Sequence, residues 1–180
     1  MADLMDAGPI CRHAAQYIAD HHTHIRFATQ STAARWTRAR HVELNPERYS
    51  WRVNRGQRDY ASMLGLIVHE IKHLEQGRLL ALSVKGEWEG WRIECLARIE
   101  LEQAGLGDRI KNIHRQNIAD ISPPPTDRDL RYVRSEMLKY AGFRYLVWLL
   151  PLRPERYWQA PLASLVFPPL GPLLAYYGIP

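Results

Sequence analysis

The chain is poor in the features that would set it apart from ordinary globular proteins. Only two of its 180 residues are cysteine, Cys11 and Cys95. Two thiols make neither a disulfide framework nor, by themselves, a zinc knuckle, and they fit a reducing compartment, so a cytoplasmic location is expected. No continuous run of about 18 apolar residues marks a membrane-spanning helix. The first residues, MADLMDAGPICRHAAQY, carry Asp3 and Asp6 and lack a basic region followed by an apolar core, so no signal peptide is expected. No internal repeat is present. Charge is missing altogether from Tyr157 to Pro180, where prolines stand at 161, 168, 169, 172 and 180. That density forbids a regular spanning helix. An irregular tail wrapped over the domain is the favoured expectation, and a docking segment for a protein partner or a membrane surface is the sharper alternative.

What is present is globular in character. The apolar fraction is 46% and the charged fraction 24%, and the length suffices for one domain with a real core. A single domain over residues 1–156 followed by the apolar tail 157–180 is expected. The net charge of +5 is concentrated between Arg26 and Arg58, where Arg35, Arg38, Arg40, Arg48, Arg52 and Arg55 are interleaved with Trp36, Tyr49 and Trp51. Nucleic acid or an acidic partner could meet such a stretch. A solvated basic surface on a half-buried sheet is favoured over it.

Periodicity divides the chain into elements. Residues 9–22 have helical spacing, with Ile10, Ala14, Tyr17 and Ile18 on one side. Residues 24–29 and 38–44 alternate as strands, and residues 30–35 supply turn chemistry between them, so these two strands are expected to form a β-hairpin. Asn45-Pro46 ends the second strand. Residues 59–76 are the strongest predicted helix, with Asp59 as N-cap, Gly77 just past the end, and Leu64, Ile67, Val68, Ile71 and Leu74 as the buried stripe. A second helix is predicted over about 87–104, with Trp88, Trp91, Cys95 and Ile99 on one face. A third is predicted over 108–120. Ser122-Pro-Pro-Pro-Thr126 is a stiff break, and a last helix, 127–142, carries Leu130, Val133, Met137 and Tyr140.

The strongest predicted helix contains LGLIVHEIKHLEQGR, and within it His69, Glu70 and His73 form an HExxH pattern. Residues four apart lie one turn apart on the same side of a helix, so both histidines can reach one metal ion. Glu70 sits beside them and can take a proton from water without being a ligand. Two neutral imidazoles leave a zinc ion strongly electrophilic, which makes its water a usable nucleophile near neutral pH. Two histidines and a glutamate next to an apolar stripe are costly to bury without a cation. The bland alternative is a helix edge on which all three face water. The His21-His22-Thr23-His24 cluster falls at a predicted helix end, where such residues are favoured anyway, and a metal role there is the weaker expectation.

This motif, followed by Gly86-Glu87-Trp88-Glu89-Gly90-Trp91, resembles that of the gluzincin zinc peptidases. The resemblance covers roughly residues 60–104. It implies that Glu87 is the third zinc ligand and that Gly90 is the small residue letting two helices approach. Trp91 stands where the family has a supporting aspartate. Glu94, two turns after Glu87 on the same face, is the alternative ligand, and Glu100 and Glu102 are expected to be solvated. A metzincin pattern would need histidine at position 79, which is Leu79. SprT-like peptidases use a later histidine, and His114 is the one downstream. His114, Tyr132 and Tyr140 are the candidates for the oxyanion-stabilising role that the resemblance implies. It also implies an edge strand that binds peptide by strand addition, with Arg38 to Leu44 as the candidate. The expectation is therefore an α+β, mostly helical, zincin-like domain with a small hairpin near the HExxH helix. It would be a zinc-dependent hydrolase of peptide bonds in a peptide or protein substrate. The alternative is a non-catalytic metal-bearing protein that contacts nucleic acid or a protein partner.

Overall fold

Leu64, Ile67, Val68 and Ile71 recur at three and four, and all four are buried. That stripe makes the helix over Arg58–Ala81 the centre of an α+β structure. The computed structural model describes residues 1–37, 39–49, 58–107, 117, 120–141 and 150–154. Their elements, in order, are α1 (Ala2–Ala7), α2 (Pro9–Asp20), β1 (His24–Phe27), β2 (Ala34–Trp36), β3 (His41–Leu44), α3 (Arg58–Ala81), α4 (Val84–Gln103) and α5 (Asp127–Ala141). Among the described residues no helix is long and apolar enough to cross a membrane. The predicted helix over 108–120, His114 and the tail 157–180 lie outside the described residues.

The chain divides into two compact units. The first, Met1–Glu75 with Glu89–Asp120, holds one apolar core. Leu4, Cys11, Ala14, Ala15 and Ile18 of the first two helices meet Val42 and Leu44 of the sheet, the α3 stripe, and Ala97 and Leu101 of α4. Gly8 separates α1 from α2, and a Cβ there would stand 2.4 Å from the Glu100 carboxyl carbon. The same carboxylate accepts from the backbone N–H groups of Ile10 and Cys11 at 3.0 and 2.9 Å. Glu100, expected to be solvated, is therefore the cap of α2. A helix start has unpaired N–H groups that favour a carboxylate, and α2 begins with Gly8 and Pro9, neither of which has a side chain able to cap it.

The three strands form a sheet in the order β1-β3-β2. β1 runs parallel to β3, and β2 is antiparallel to it. The expected hairpin between residues 24–29 and 38–44 is thus corrected. The tight turn joins β2 to β3, where the Arg40 N–H donates to the Thr37 carbonyl at 3.0 Å and Arg40 takes a φ of 57°. Residues assigned to the turn, 34 and 35, are strand. The loop before them is held by Gln30, whose amide donates to the Glu43 carbonyl at 2.8 Å, and by Asn45, which donates to the Gln30 carbonyl at 2.8 Å. Those side-chain bonds support a crossover that alternation alone does not reveal.

On the outer face, Glu43 is in register with Arg26 on one side and Arg35 on the other. Arg26 Nε donates to Glu43 Oε1 at 3.0 Å and Arg35 Nε to Oε2 at 2.7 Å. The hydrogen bonds from Arg26, then those from Arg35, hold the Glu43 carboxyl below its usual range against the opposing effect of burial. Two arginines of the basic stretch are thereby occupied within the sheet.

Gly77 breaks α3 with a φ of 70°, and one further turn follows it. This last turn belongs to the second unit, Gln76–Trp88 with Ile121–Pro180. There the Ser83 hydroxyl donates to the Leu80 carbonyl at 2.7 Å and accepts from the Gly86 N–H at 3.0 Å. A Cβ on Gly86 would stand 1.9 Å from the Leu80 carbonyl oxygen, so the turn requires glycine. α4 opens at Val84, a turn earlier than predicted. Its first N–H groups, those of Val84 and Lys85, donate to the carbonyls of Pro151 and Leu152 at 2.6 and 3.0 Å. α5 starts with a reciprocal cap: the Thr126 N–H donates to Asp129 at 2.8 Å and the Asp129 N–H to the Thr126 hydroxyl at 3.2 Å. Leu130, Val133 and Met137 are its buried face.

Candidate metal centre

α3 brings His69 and His73 onto one face by helical spacing alone. Both are buried, 5% and 2% exposed, and Glu70 beside them is 5% exposed. The helix-edge alternative, with all three facing water, is therefore excluded. The two Nε2 atoms face each other at 2.9 Å. One ligand atom from each of His69, His73 and Glu87 lies within 4.8 Å of the other two. Among the described residues this is the one such group of three, and the histidines at 21, 22 and 24 form none. Instead His21 stacks on Tyr17 and His24 meets His41 edge-on across the sheet.

The donor set fits zinc. Nitrogens bound at the usual Zn–N length with a tetrahedral angle stand about 3.3 Å apart, so the two rings need to part by only roughly 0.4 Å. The ring of His69 lies against Gly90, where a Cβ would stand 3.0 Å from both Cε1 and Nε2. A small residue is therefore favoured at position 90.

Glu94 occupies the other side of the His69 ring. It is 1% exposed, and its Oε2 stands 3.3 Å from His69 Nδ1. Its Oε1 accepts from Arg98 at 2.7 Å. The carboxylate weighed as an alternative ligand thus contacts the nitrogen of His69 that faces away from His73. A carboxylate at that nitrogen is the kind of contact that orients an imidazole.

Of the face predicted for α4, Trp88, Trp91 and Cys95 are buried, and Ile99 is the exception. Ile99 is 46% exposed, whereas Ala97 and Leu101 are fully buried. A second buried row runs Gly90, Glu94, Ala97, Leu101 beside that face, and the acid in its middle hides it from a hydrophobic pattern. Sequence reasoning also missed Ser62, Gly65 and Arg98. A signal was present, because glycine inside a helix costs about 1 kcal/mol relative to alanine and Gly65 lies in the middle of the best-predicted one.

β1 and β2 are the edge strands and β3 is the central one, which corrects the assignment to Arg38–Leu44; of the two edges, β2 lies nearer His73. β3 is paired on both sides, and Arg38 lies outside the described residues. The Ala33 carbonyl accepts from the Asn45 N–H and the Thr37 N–H donates to the His41 carbonyl, each at 2.9 Å. Alternation then points the N–H and C=O groups of Ala34 and Trp36 away from β3. The Trp36 ring lies 6.4 Å from that of His73. Tyr132 stands 37% exposed on α5, and the side chain of Tyr140 is outside the described set.

Comparison with known proteins finds no matching family model, no similar curated protein and no similar solved structure.

Proposed function

We propose that the protein is a zinc-dependent hydrolase of peptide bonds, with His69, His73 and Glu87 as metal ligands and Glu70 as general base. The observation that carries this reading is the pair of buried imidazoles whose Nε2 atoms meet at 2.9 Å, with Glu94 behind His69 and a Glu87 oxygen close by. Two buried rings in that arrangement fit a shared cation better than they fit an apolar core. Bound zinc would supply Lewis acidity to a carbonyl oxygen and to water.

The chain's own residues then divide the work. His69 and His73 present their nitrogens from one rigid helix. Glu70, next to His69 in sequence, accepts the proton of the attacking water and returns it to the leaving amine. The outward-pointing backbone groups of Ala34 and Trp36 suit an extended peptide added to β2, which favours a peptide or protein substrate over a nucleic acid. The two buried cysteines, Cys11 and Cys95, fit a reducing, cytoplasmic setting.

Elemental analysis and a peptide-cleavage assay on Glu70→Gln test the reading. The variant is expected to retain about one zinc per chain and lose cleavage by roughly 100- to 10,000-fold. Cleavage at the parental rate would overturn the assignment of Glu70. A parent protein that takes up no zinc would remove the metal site itself.

A further inference from the structure

Ser62, Gly65, His69 and His73 form one stripe along α3 at intervals of three and four. Glu94 and Arg98 stand one turn apart on α4. The two sets meet in contacts that the ligand assignment does not use. Arg98 Nη2 donates to Glu94 Oε1 at 2.7 Å and to the Ser62 hydroxyl at 2.9 Å. Its stem crosses Gly65, where a Cβ would stand 2.7 Å from Arg98 Cγ and 2.9 Å from Nε. The cost of a glycine in mid-helix is thereby explained: any larger residue would displace Arg98.

A carboxylate has two oxygens and a freely turning last bond, so Glu94 alone does not determine what meets His69. Arg98 removes that freedom. With Oε1 bound to a guanidinium that is itself anchored to Ser62, Oε2 is turned to the side of His69 Nδ1, 3.3 Å away. We propose that Arg98, anchored by Ser62 and seated over Gly65, is a positioning residue that commits Glu94 to His69 and locks the ring in the tautomer with the proton on Nδ1. The lone pair on Nε2 is then directed toward His73 before any metal arrives. A neutral imidazole otherwise distributes its proton between two nitrogens. The consequence for metal binding rests on the reading of His69 as a ligand; the tautomer lock itself does not.

The test is imidazole nitrogen NMR on metal-free protein, at a pH where the ring is neutral, together with zinc competition against a chromophoric chelator. The parent is expected to show one His69 tautomer, protonated at Nδ1. Arg98→Met should mix the tautomers and weaken zinc binding roughly 10- to 100-fold. Ser62→Ala should move both readouts the same way by less. In a Glu94→Gln background, Arg98→Met should add nothing, because it acts through Glu94. An Arg98→Met protein with the parental tautomer and zinc affinity overturns the proposal. So does an effect of Arg98→Met that persists undiminished without the Glu94 carboxylate. If Arg98→Met does not fold, Ser62→Ala decides: mixed tautomers support the proposal and an unchanged ring overturns it. A parent that binds no zinc would sink the ligand reading, while the NMR measurement would still judge Arg98.

Discussion

Glu43 in β3 and Glu94 in α4 are both buried acids held by arginine, 3% and 1% exposed. Glu43 has both oxygens taken, one by Arg26 and the other by Arg35. Those arginines are half exposed, at 54% and 52%, and the group ties three strands together. Glu94 has one oxygen on Arg98, which is only 15% exposed, and the other beside His69. An acid with both oxygens neutralised by arginine has a role in the architecture alone. An acid shared between an arginine and a histidine acts on both, and here the histidine belongs to the candidate metal centre.

The largest effect expected from breaking this comparison is that of Glu94→Ala. It strands Arg98 in the interior, which should cost about 3–5 kcal/mol in denaturant unfolding, and it should weaken zinc binding as well. Glu43→Ala leaves two arginines that can turn to water. Its cost should be nearer 1–2 kcal/mol, with zinc affinity unchanged. Equal losses of zinc affinity in the two variants would erase the distinction.

A smaller effect comes from pH. The Glu43 carboxyl, bonded first to Arg26 and then to Arg35, has its folded pKa below the ordinary 4.5. Its stabilisation is complete above that ordinary value and is lost as pH falls through the depressed folded one. Glu43→Gln should therefore flatten the acid side of a plot of Tm against pH, and an unaltered slope would refute the linkage. The smallest effect belongs to Ile99→Gln, since Ile99 is 46% exposed. Its stability change should stay within about 0.5 kcal/mol, and a large loss would restore Ile99 to the core.

Much of the architecture was legible in the sequence, for reasons that differ by element. α3 was legible because its apolar stripe and its terminal glycine are local signals. The strand pairing was not, because β1 joins β3 in parallel through a loop held by Gln30 and Asn45, and period-two alternation does not say which strands are neighbours. On α4 the helix was legible and so was much of its buried face, Trp88, Trp91 and Cys95, but the buried Glu94 was not. Hydrophobic periodicity passes over a buried glutamate, and Glu94 is buried because Arg98 and His69 compensate it. Glu100 was missed for a related reason, as its partners are N–H groups of α2, 89 and 90 positions away.

The sequence by itself determined that His69 and His73 share a face with Glu70 beside them, because four residues make about one turn in any α-helix. It also determined that Glu87 and Glu94 share a face, by the same rule. Only the tertiary structure decided that Glu94 meets His69 at Nδ1, that Arg98 reaches across Gly65 to Ser62, and that β3 is the central strand rather than an edge. Those outcomes depend on how two helices are rotated against each other and on the order of strands in a sheet. Both are set by long-range packing, which local spacing does not contain.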